Sequence, residues 1–110
     1  MNKIHLSCEA QDDLAEIKSY ISTELDNPAA ALRTVDRVTK SIRILQTHAG
    51  AGALLSSIAN VDSDYRFLVS GSYMSFYRVN GSDVYVDRVL YGRRDYLRIL
   101  FGDAQEEPIE

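Results

Sequence analysis

The chain has 110 residues, 45% of them hydrophobic and 25% charged, with a formal net charge of −4 at pH 7. This length and composition predict one globular domain that buries a single core. The sequence has no apolar run long enough to span a bilayer, and its first ten residues lack the apolar segment of a secretory signal peptide. We therefore expect a cytoplasmic protein with no membrane contact.

The first predicted element is a short strand over residues 2–8, in which Ile4, Leu6 and Cys8 alternate with polar side chains. We expect this strand at or near an edge of the sheet. Cys8 is the one cysteine of the chain, so it has no partner for an internal disulfide. It is predicted to be a small buried residue in a reducing compartment.

An amphipathic helix is predicted over residues 11–25. Its apolar side chains recur at helical spacing and form one stripe, which consists of Leu14, Ile17, Ile21 and Leu25. The acids of this segment, Asp12, Asp13 and Glu16, fall outside the stripe. Carboxylates are rarely buried without a partner, so these three acids are predicted to lie on the solvated face of the helix.

A second helix is predicted over residues 29–48, with Asn27 as its cap and Pro28 at the first helical position. Its apolar stripe is Leu32, Val35, Val38, Ile42 and Leu45, and Gly50 and Gly52 follow its end. The short break between the helices favours an antiparallel hairpin. Residues 49–63 then carry the chain to the sheet, where Leu54, Leu55 and Ile58 are expected to pack against the core.

Three alternating apolar and polar runs separated by turn residues predict an antiparallel meander. The predicted strands cover residues 65–70, 73–79 and 83–91. Gly71 and Ser72 fit a two-residue type II′ turn, because glycine stands at its first central position. Asn80 and Gly81 favour a type I′ turn, in which both central residues have positive φ.

Gly92 ends the sheet, and residues 93–101 are predicted to form a short closing helix. The order is therefore strand, two helices, three strands and a short helix. This order predicts an α+β fold, with the helical hairpin packed on one face of an antiparallel sheet. Residues 1–101 form the single predicted domain, and the acidic residues 102–110 are predicted to be a flexible tail.

The sheet half of the chain is basic. Residues 65–101 hold six Arg against three Asp, which leaves +3, and all the cations there are Arg, whose planar group suits carboxylate or phosphate. His5 and His48 fall in different elements, and the sequence contains neither a metal-ligand spacing nor a glycine-rich phosphate loop. We therefore expect no metal or cofactor. The arginines are expected either to contact another macromolecule or to be solvated or paired with the acids of the helical half.

Two stretches of this half resemble the RelE/ParE superfamily, the toxins of type II toxin–antitoxin pairs. The first is residues 65–73 followed by Phe-Tyr-Arg-Val at 76–79, and the second is residues 87–96, which contain Tyr-Gly-Arg-Arg-Asp. The resemblance covers about residues 3–101, and the fold it implies agrees with the predicted order. It also implies a cognate antitoxin protein as a partner.

RelE-type members are ribosome-dependent mRNA interferases that activate the ribose 2′-hydroxyl without a metal. This chemistry needs a proton acceptor, a cation for the phosphate and a donor to the leaving oxygen. The resemblance places Arg66 and Arg94 at two basic positions, so these are the catalytic residues if the chain is a ribonuclease. Met74, however, stands where a second-strand Arg is usual, and Leu100 stands near the position of a late Tyr.

ParE-type members share the fold, lack this catalytic set and poison DNA gyrase by trapping its cleaved complex. Met74 and Leu100 favour this branch, and so does the net charge of −4, which opposes docking into ribosomal RNA. The resemblance therefore implies a gyrase poison. An interferase acting at the ribosome on mRNA, and an attenuated module that binds without toxicity, are the alternatives.

The resemblance also implies that an antitoxin segment folds across the hairpin and the sheet and places carboxylates on Arg66, Arg78 or Arg93. The candidate residues for binding the antitoxin or the target are Arg66, Tyr73, Tyr77, Arg78, Arg93 and Arg94. Other roles stay open for them. Arg66 and Arg94 can instead form ion pairs with Asp64 and Asp95, and the two tyrosines, which share a strand face, can be packing residues.

Overall fold

The computed structural model describes residues 1–102. The strands are β1 (Lys3–Leu6), β2 (Ala53–Leu54), β3 (Arg66–Ser70), β4 (Tyr73–Asn80) and β5 (Asp83–Tyr91). The α-helices are α1 (Cys8–Ser19), α2 (Pro28–Arg43) and α3 (Tyr96–Phe101). Residues 103–110, most of the predicted tail, lie outside the described residues. None of the helices within residues 1–102 is long and apolar enough to cross a membrane.

The five strands form one sheet in the order β1-β5-β4-β3-β2. β1 runs parallel to β5 at one edge, and the other neighbours are antiparallel. The predicted α+β fold, the meander and the edge position of the first strand are therefore confirmed. The two-residue strand β2 is an addition, because residues 49–63 carry too weak a pattern to indicate it.

Both hairpins of the meander use a Gly-Ser turn. Ser70 pairs with Tyr73 across the first turn, whose Gly71 has φ of 61°, as predicted for type II′. In the second turn, Asn80 pairs with Asp83, so the two central residues are Gly81 and Ser82. Of these only Gly81 has positive φ, at 65°. The predicted type I′ turn centred on Asn80 and Gly81 is therefore wrong, because the strand pairing extends one residue further and includes Asn80.

The first helix begins three residues earlier than predicted. The Ser7 side chain accepts a hydrogen bond from the Ala10 N–H at 2.9 Å and donates one to the Asp87 carbonyl at 2.7 Å. This cap satisfies a free N–H of the first helical turn and joins it to β5. Cys8 is consequently the first helical residue and is exposed, so its predicted burial in a strand is wrong.

The helical hairpin is confirmed, but it differs from the prediction near its tip and at the end of its second helix. The helix predicted to reach residue 48 ends at Arg43, and a 3₁₀ turn over Ile44–Gln46 follows it. Asn27 caps α2 by accepting from the Ala30 N–H, and Pro28 is its first residue. α1, however, passes into a π-helical turn over Tyr20–Glu24, which breaks the 3.6-residue period, so Leu25 is 56% exposed rather than buried. Leu32 is 59% exposed, because Ala31, one residue earlier, occupies the buried stripe.

The sheet separates two apolar cores. The helix-side core lies between the sheet and the hairpin, and its larger members are Ile17, Ile21, Val38, Ile42, Leu45, Tyr77, Val84, Val86 and Val89. The outer core lies on the opposite face, and its buried members are Leu55, Phe67, Met74, Phe76 and Leu90. α3 covers the outer core through Leu97 and Leu100. Of the three residues in the 49–63 segment that were predicted to pack against the core, Leu55 is fully buried in the outer core, whereas Leu54 and Ile58 are exposed.

A β-bulge reverses the side-chain alternation of β5. Phe76 pairs with Arg88 and Tyr77 pairs with Val86, so Asp87 is an extra residue on β5. As a result, Val84, Val86 and Val89 all face the helix-side core although their spacing is not strictly even. The bulge also places Asp87 and Arg88 side by side, where each forms an ion pair.

Candidate functional site

Arg66 is held by the protein's own backbone. Its Nη1 donates to the Gly52 carbonyl at 2.9 Å. The buried Tyr77 hydroxyl accepts from the Gly52 N–H and donates to the Ala49 carbonyl, both at 2.8 Å. Burial raises the pKa of Tyr77. These two side chains therefore fix the 49–52 loop on the sheet, and Tyr77 belongs to the core rather than to a surface site.

Arg78 forms a compact group with Asp87 and Tyr65 on the outer face of the sheet. Its Nη2 and Nε lie 3.1 Å from the Asp87 carboxylate, and its guanidinium lies 5.3 Å from the centre of the Tyr65 ring. The Tyr65 hydroxyl donates to the same carboxylate at 2.6 Å. Burial, together with this hydrogen bond to Asp87, raises the pKa of Tyr65 to about 12. The positive charge of Arg78 is therefore already paired with Asp87 of the same chain.

Arg88 connects the sheet to α1. Its Nε and Nη2 each donate to Asp13 at 2.8 Å, and Asp13 also accepts from the Val89 N–H at 2.9 Å. The hydrogen bonds to Asp13 raise the pKa of Arg88. Asp13 is only 6% exposed, so the prediction that it lies on the solvated face of the helix is wrong. The carboxylate is buried because it satisfies a guanidinium and a backbone N–H beyond the end of β1.

Arg93 and Arg94 differ from these three arginines. Both are exposed in the turn between β5 and α3, and within residues 1–102 neither side chain forms a hydrogen bond or an ion pair. The predicted helix over 93–101 begins only at Tyr96, after the cap Asp95, which leaves this turn outside it. The ion pairs considered for Arg66 with Asp64 and for Arg94 with Asp95 are both absent from the described residues.

A groove of about 920 Å³ lies between one end of the helical hairpin and the sheet. Ile17, Tyr20, Ile21 and Leu25 line it from the hairpin, and Tyr73, Tyr91 and Arg94 line it from the sheet and the turn after it. The Tyr73 and Tyr91 rings meet edge to face at 5.9 Å. Of the six predicted binding residues, the groove brings together Tyr73 and Arg94. Arg66, Tyr77, Arg78 and Arg93 lie elsewhere.

Around Met74, the outer face of the meander is filled by apolar side chains. Met74 is 8% exposed and packs with Phe76 and Leu90, and Leu100 of α3 packs against the same core. The Tyr96 ring lies 5.2 Å from that of Phe76. This face therefore presents no polar group at Met74 or Leu100.

The sequence does not reveal the roles of Gly52, Asp13 and Asp87, because their contacts are with residues far away in the chain. A Cβ at Gly52 would lie 2.6 Å from both the Phe67 carbonyl oxygen and the Tyr77 hydroxyl, so the residue allows a close approach of two chain segments. No local pattern signals this contact. Within residues 1–102 no group of three His, Cys, Asp or Glu side chains is placed to hold a metal ion.

Comparison with known proteins gives two findings. A family model described as the ParE toxin of the type II toxin–antitoxin system parDE matches residues 4–96. A solved chain described as "Chromosomal ParDE TA system from P. aeruginosa" superposes with a TM-score of 0.69 at 24% identity, over 83% of this chain and 96% of that chain. This second likeness concerns the fold. No curated protein matches significantly.

Proposed function

The chain belongs to the ParE toxin family of type II toxin–antitoxin systems, and on that premise we propose that it arrests growth by trapping DNA gyrase in its cleaved complex with DNA. A cognate antitoxin neutralises it by binding the groove between hairpin and sheet. Gyrase poisoning is an act of binding. It requires a shaped and charged surface, and it needs no group on the toxin that makes or breaks a bond.

The observation that carries this proposal is the packing of the outer face. Cleavage of RNA by its own 2′-hydroxyl needs a proton acceptor, a cation and a donor around one phosphate. Met74 and Leu100 stand where the resemblance to the interferases calls for two of these groups, and both pack in the outer core. A phosphate cannot approach the region around Met74 and Leu100, because α3 covers it with apolar side chains. This packing supports binding over ribonuclease chemistry.

The two remaining candidates for catalysis, Arg66 and Arg94, have different surroundings. Arg66 donates to the Gly52 carbonyl beside the helix-side core. Arg94 lines the groove that lies between the hairpin and the sheet. An interferase site built on these residues would first have to release Arg66 from the 49–52 loop.

The groove suits a segment of the antitoxin that is apolar and carries at least one carboxylate. Its walls include the apolar or aromatic side chains of Ile17, Ile21, Leu25, Tyr73 and Tyr91. The acids Asp13 and Glu16 line it on the α1 side, so a carboxylate of the antitoxin is expected only beside Arg94. Arg94 offers an exposed guanidinium without a partner among residues 1–102. Burying apolar side chains in the groove supplies most of the affinity, and the charge-assisted hydrogen bond to Arg94 fixes the register.

An antitoxin segment in the groove would reach some of the six predicted binding residues more easily than others. Arg94 and Tyr73 meet the antitoxin directly. Arg93 lies in the same turn but does not line the groove. Arg66 and Arg78 would have to give up contacts with Gly52 and Asp87 before binding a carboxylate of the antitoxin, and Tyr77 is fully buried.

A direct test uses purified protein with gyrase and supercoiled plasmid DNA. The expected result is linearised DNA after denaturation of the covalent gyrase–DNA complex, and its loss when the antitoxin is added. Cellular mRNA ends are mapped in parallel after induction. Cleaved mRNA without DNA breaks would identify an interferase. Induction without growth arrest would identify an attenuated binding module, and either result would overturn the proposal.

A further inference from the structure

Charge is divided sharply between the two helices of the hairpin. α1 carries Glu9, Asp12, Asp13 and Glu16 against Lys18 alone. α2 carries Arg33, Arg37, Lys40 and Arg43 against Asp36 alone, so it is +3 in a chain whose net charge is −4. The helix that follows the hairpin tip therefore holds a concentration of positive charge in an acidic protein.

These cations form one exposed surface, which we call the basic face of α2 and define by Arg33, Arg37, Lys40 and Arg43. The first three are spaced i, i+4 and i+7, so they share one side of the helix, and all four are exposed. Lys40 is 3.0 Å from Asp36 in an exposed pair. The side chains of the three arginines form no hydrogen bond or ion pair within residues 1–102.

The basic face is also independent of the core. α2 packs through its opposite side, where Ala31, Val38 and Ile42 are buried. In the sheet half, by contrast, Arg66, Arg78 and Arg88 each have a partner inside the chain. The positive charge of α2 therefore contributes little to folding, and it is available to a second molecule.

We propose that the basic face of α2 binds the phosphate backbone of duplex DNA and orients the toxin on DNA held by gyrase. The inference rests on the proposed function: a toxin bound to the cleaved gyrase complex lies close to the DNA that gyrase holds. An acidic chain meets DNA favourably only through a side where cations are concentrated. Arg33 and Arg43 are separated by roughly 15 Å along the helix axis, which is enough to reach phosphates on both sides of a major groove about 12 Å wide.

The same residues determine the kind of recognition. The contacts proposed for the exposed Arg and Lys of this face are with phosphates. Phosphate contacts position a protein without reading sequence. The binding is therefore expected to be independent of DNA sequence, strongly salt-dependent and weak in the absence of gyrase.

The test measures binding of the full chain to a labelled duplex by fluorescence anisotropy across a range of salt concentrations. Four phosphate contacts give a slope of log affinity against log salt of about −3.6, since each contact contributes about 0.9. Arg33→Glu with Arg37→Glu should reduce the slope to about −1.8 and lower the affinity at least tenfold at low salt. The charge-matched control, Lys3→Glu with Lys18→Glu, changes two exposed lysines away from α2 and should keep the slope.

A second variant tests whether charge, rather than the loss of the arginine side chains, determines DNA binding. Measuring antitoxin affinity as well distinguishes DNA from protein as the partner of this face. Arg33→Lys with Arg37→Lys keeps the charge and should bind DNA as the natural chain does. If the glutamate variant keeps the salt slope but loses antitoxin affinity, the face is a protein interface and the proposal is wrong. If the glutamate variant traps gyrase as well as the natural chain does, the proposal fails while the gyrase function stands. If the natural chain traps no gyrase, the proposed function itself fails.

Discussion

Asp13 and Arg88 lie 75 positions apart in the chain and join through two hydrogen bonds of 2.8 Å. The same carboxylate accepts from the Val89 N–H, which β1 is too short to reach. A side chain of α1 thus completes the hydrogen bonding of β5 where its neighbouring strand has ended. The pair links the hairpin to the sheet beside the groove, which both Asp13 and Val89 line.

Asp13→Asn should destabilise the fold by about 1–3 kcal/mol, because it leaves a partly buried guanidinium without its anion. Urea denaturation measures this as a lower midpoint with an unchanged slope. Asp12→Asn is the matched control, since Asp12 is exposed on the preceding position. Equal effects of the two substitutions would show that the Asp13 pair adds nothing beyond the general charge of α1.

Tyr77→Phe should cost about 1–3 kcal/mol, because it leaves the Gly52 N–H and the Ala49 carbonyl without a buried partner. The change is expected in thermal or urea unfolding. Tyr85→Phe serves as the control, because the Tyr85 ring is 38% exposed and its hydroxyl forms no hydrogen bond within residues 1–102. A Tyr77→Phe protein as stable as the Tyr85→Phe protein would remove the proposed role of this hydroxyl in holding the loop.

Gly52→Ala should be destabilising by about 1–3 kcal/mol, since the added methyl group would meet the Phe67 carbonyl oxygen and the Tyr77 hydroxyl at 2.6 Å. Gly50→Ala provides the comparison two residues away, because no atom lies within 4 Å of a Cβ at that position. Circular dichroism melts of the two proteins test the difference. Similar melting temperatures would mean that the 49–52 loop can move away from the sheet at little cost.

The Tyr65 hydroxyl should titrate late and weaken the fold at high pH. Its pKa is raised from 10.0 to about 12, so the folded chain keeps a proton that the unfolded chain releases. This contribution to stability is complete below pH 10 and is lost as the pH rises towards 12. The difference between the tyrosinate absorbance titrations of the natural chain and Tyr65→Phe isolates this group. Asp87→Asn should shift the difference curve to lower pH, and an unmoved curve would contradict the assigned cause.

The parts of the fold that the sequence predicted are those specified locally. Alternation and the Gly71-Ser72 turn identify the meander, and Asn27 with Pro28 marks the start of α2, because each signal acts within a few residues. The buried position of Asp13 depends on Arg88, and the shape of the 49–52 loop depends on Tyr77. Such contacts leave no local pattern, so the sequence assigns Asp13 to the solvated face and Gly52 to the end of a helix.

The candidate site was only partly predictable for a related reason. Composition shows that the sheet half is rich in arginine, but it does not show which arginines already have partners. The β-bulge at Asp87 moves that carboxylate beside Arg78 and Tyr65, and one extra residue on a strand has no signature in an alternating run. The basic face of α2 gives no signal in a charge sum, because residues 1–64 hold six Lys or Arg against nine Asp or Glu.

Arg94→Glu should weaken antitoxin binding at least tenfold, because it places a carboxylate in the groove where the antitoxin's own carboxylate is expected. Arg93→Glu makes the same charge change one residue earlier, on an exposed side chain that does not line the groove. Titration calorimetry with the cognate antitoxin compares the two. The neighbouring variant should lose less affinity, since its charge acts only through solvent. An equal loss in both would place the antitoxin over the turn as a whole, and no loss in either would place it outside the groove.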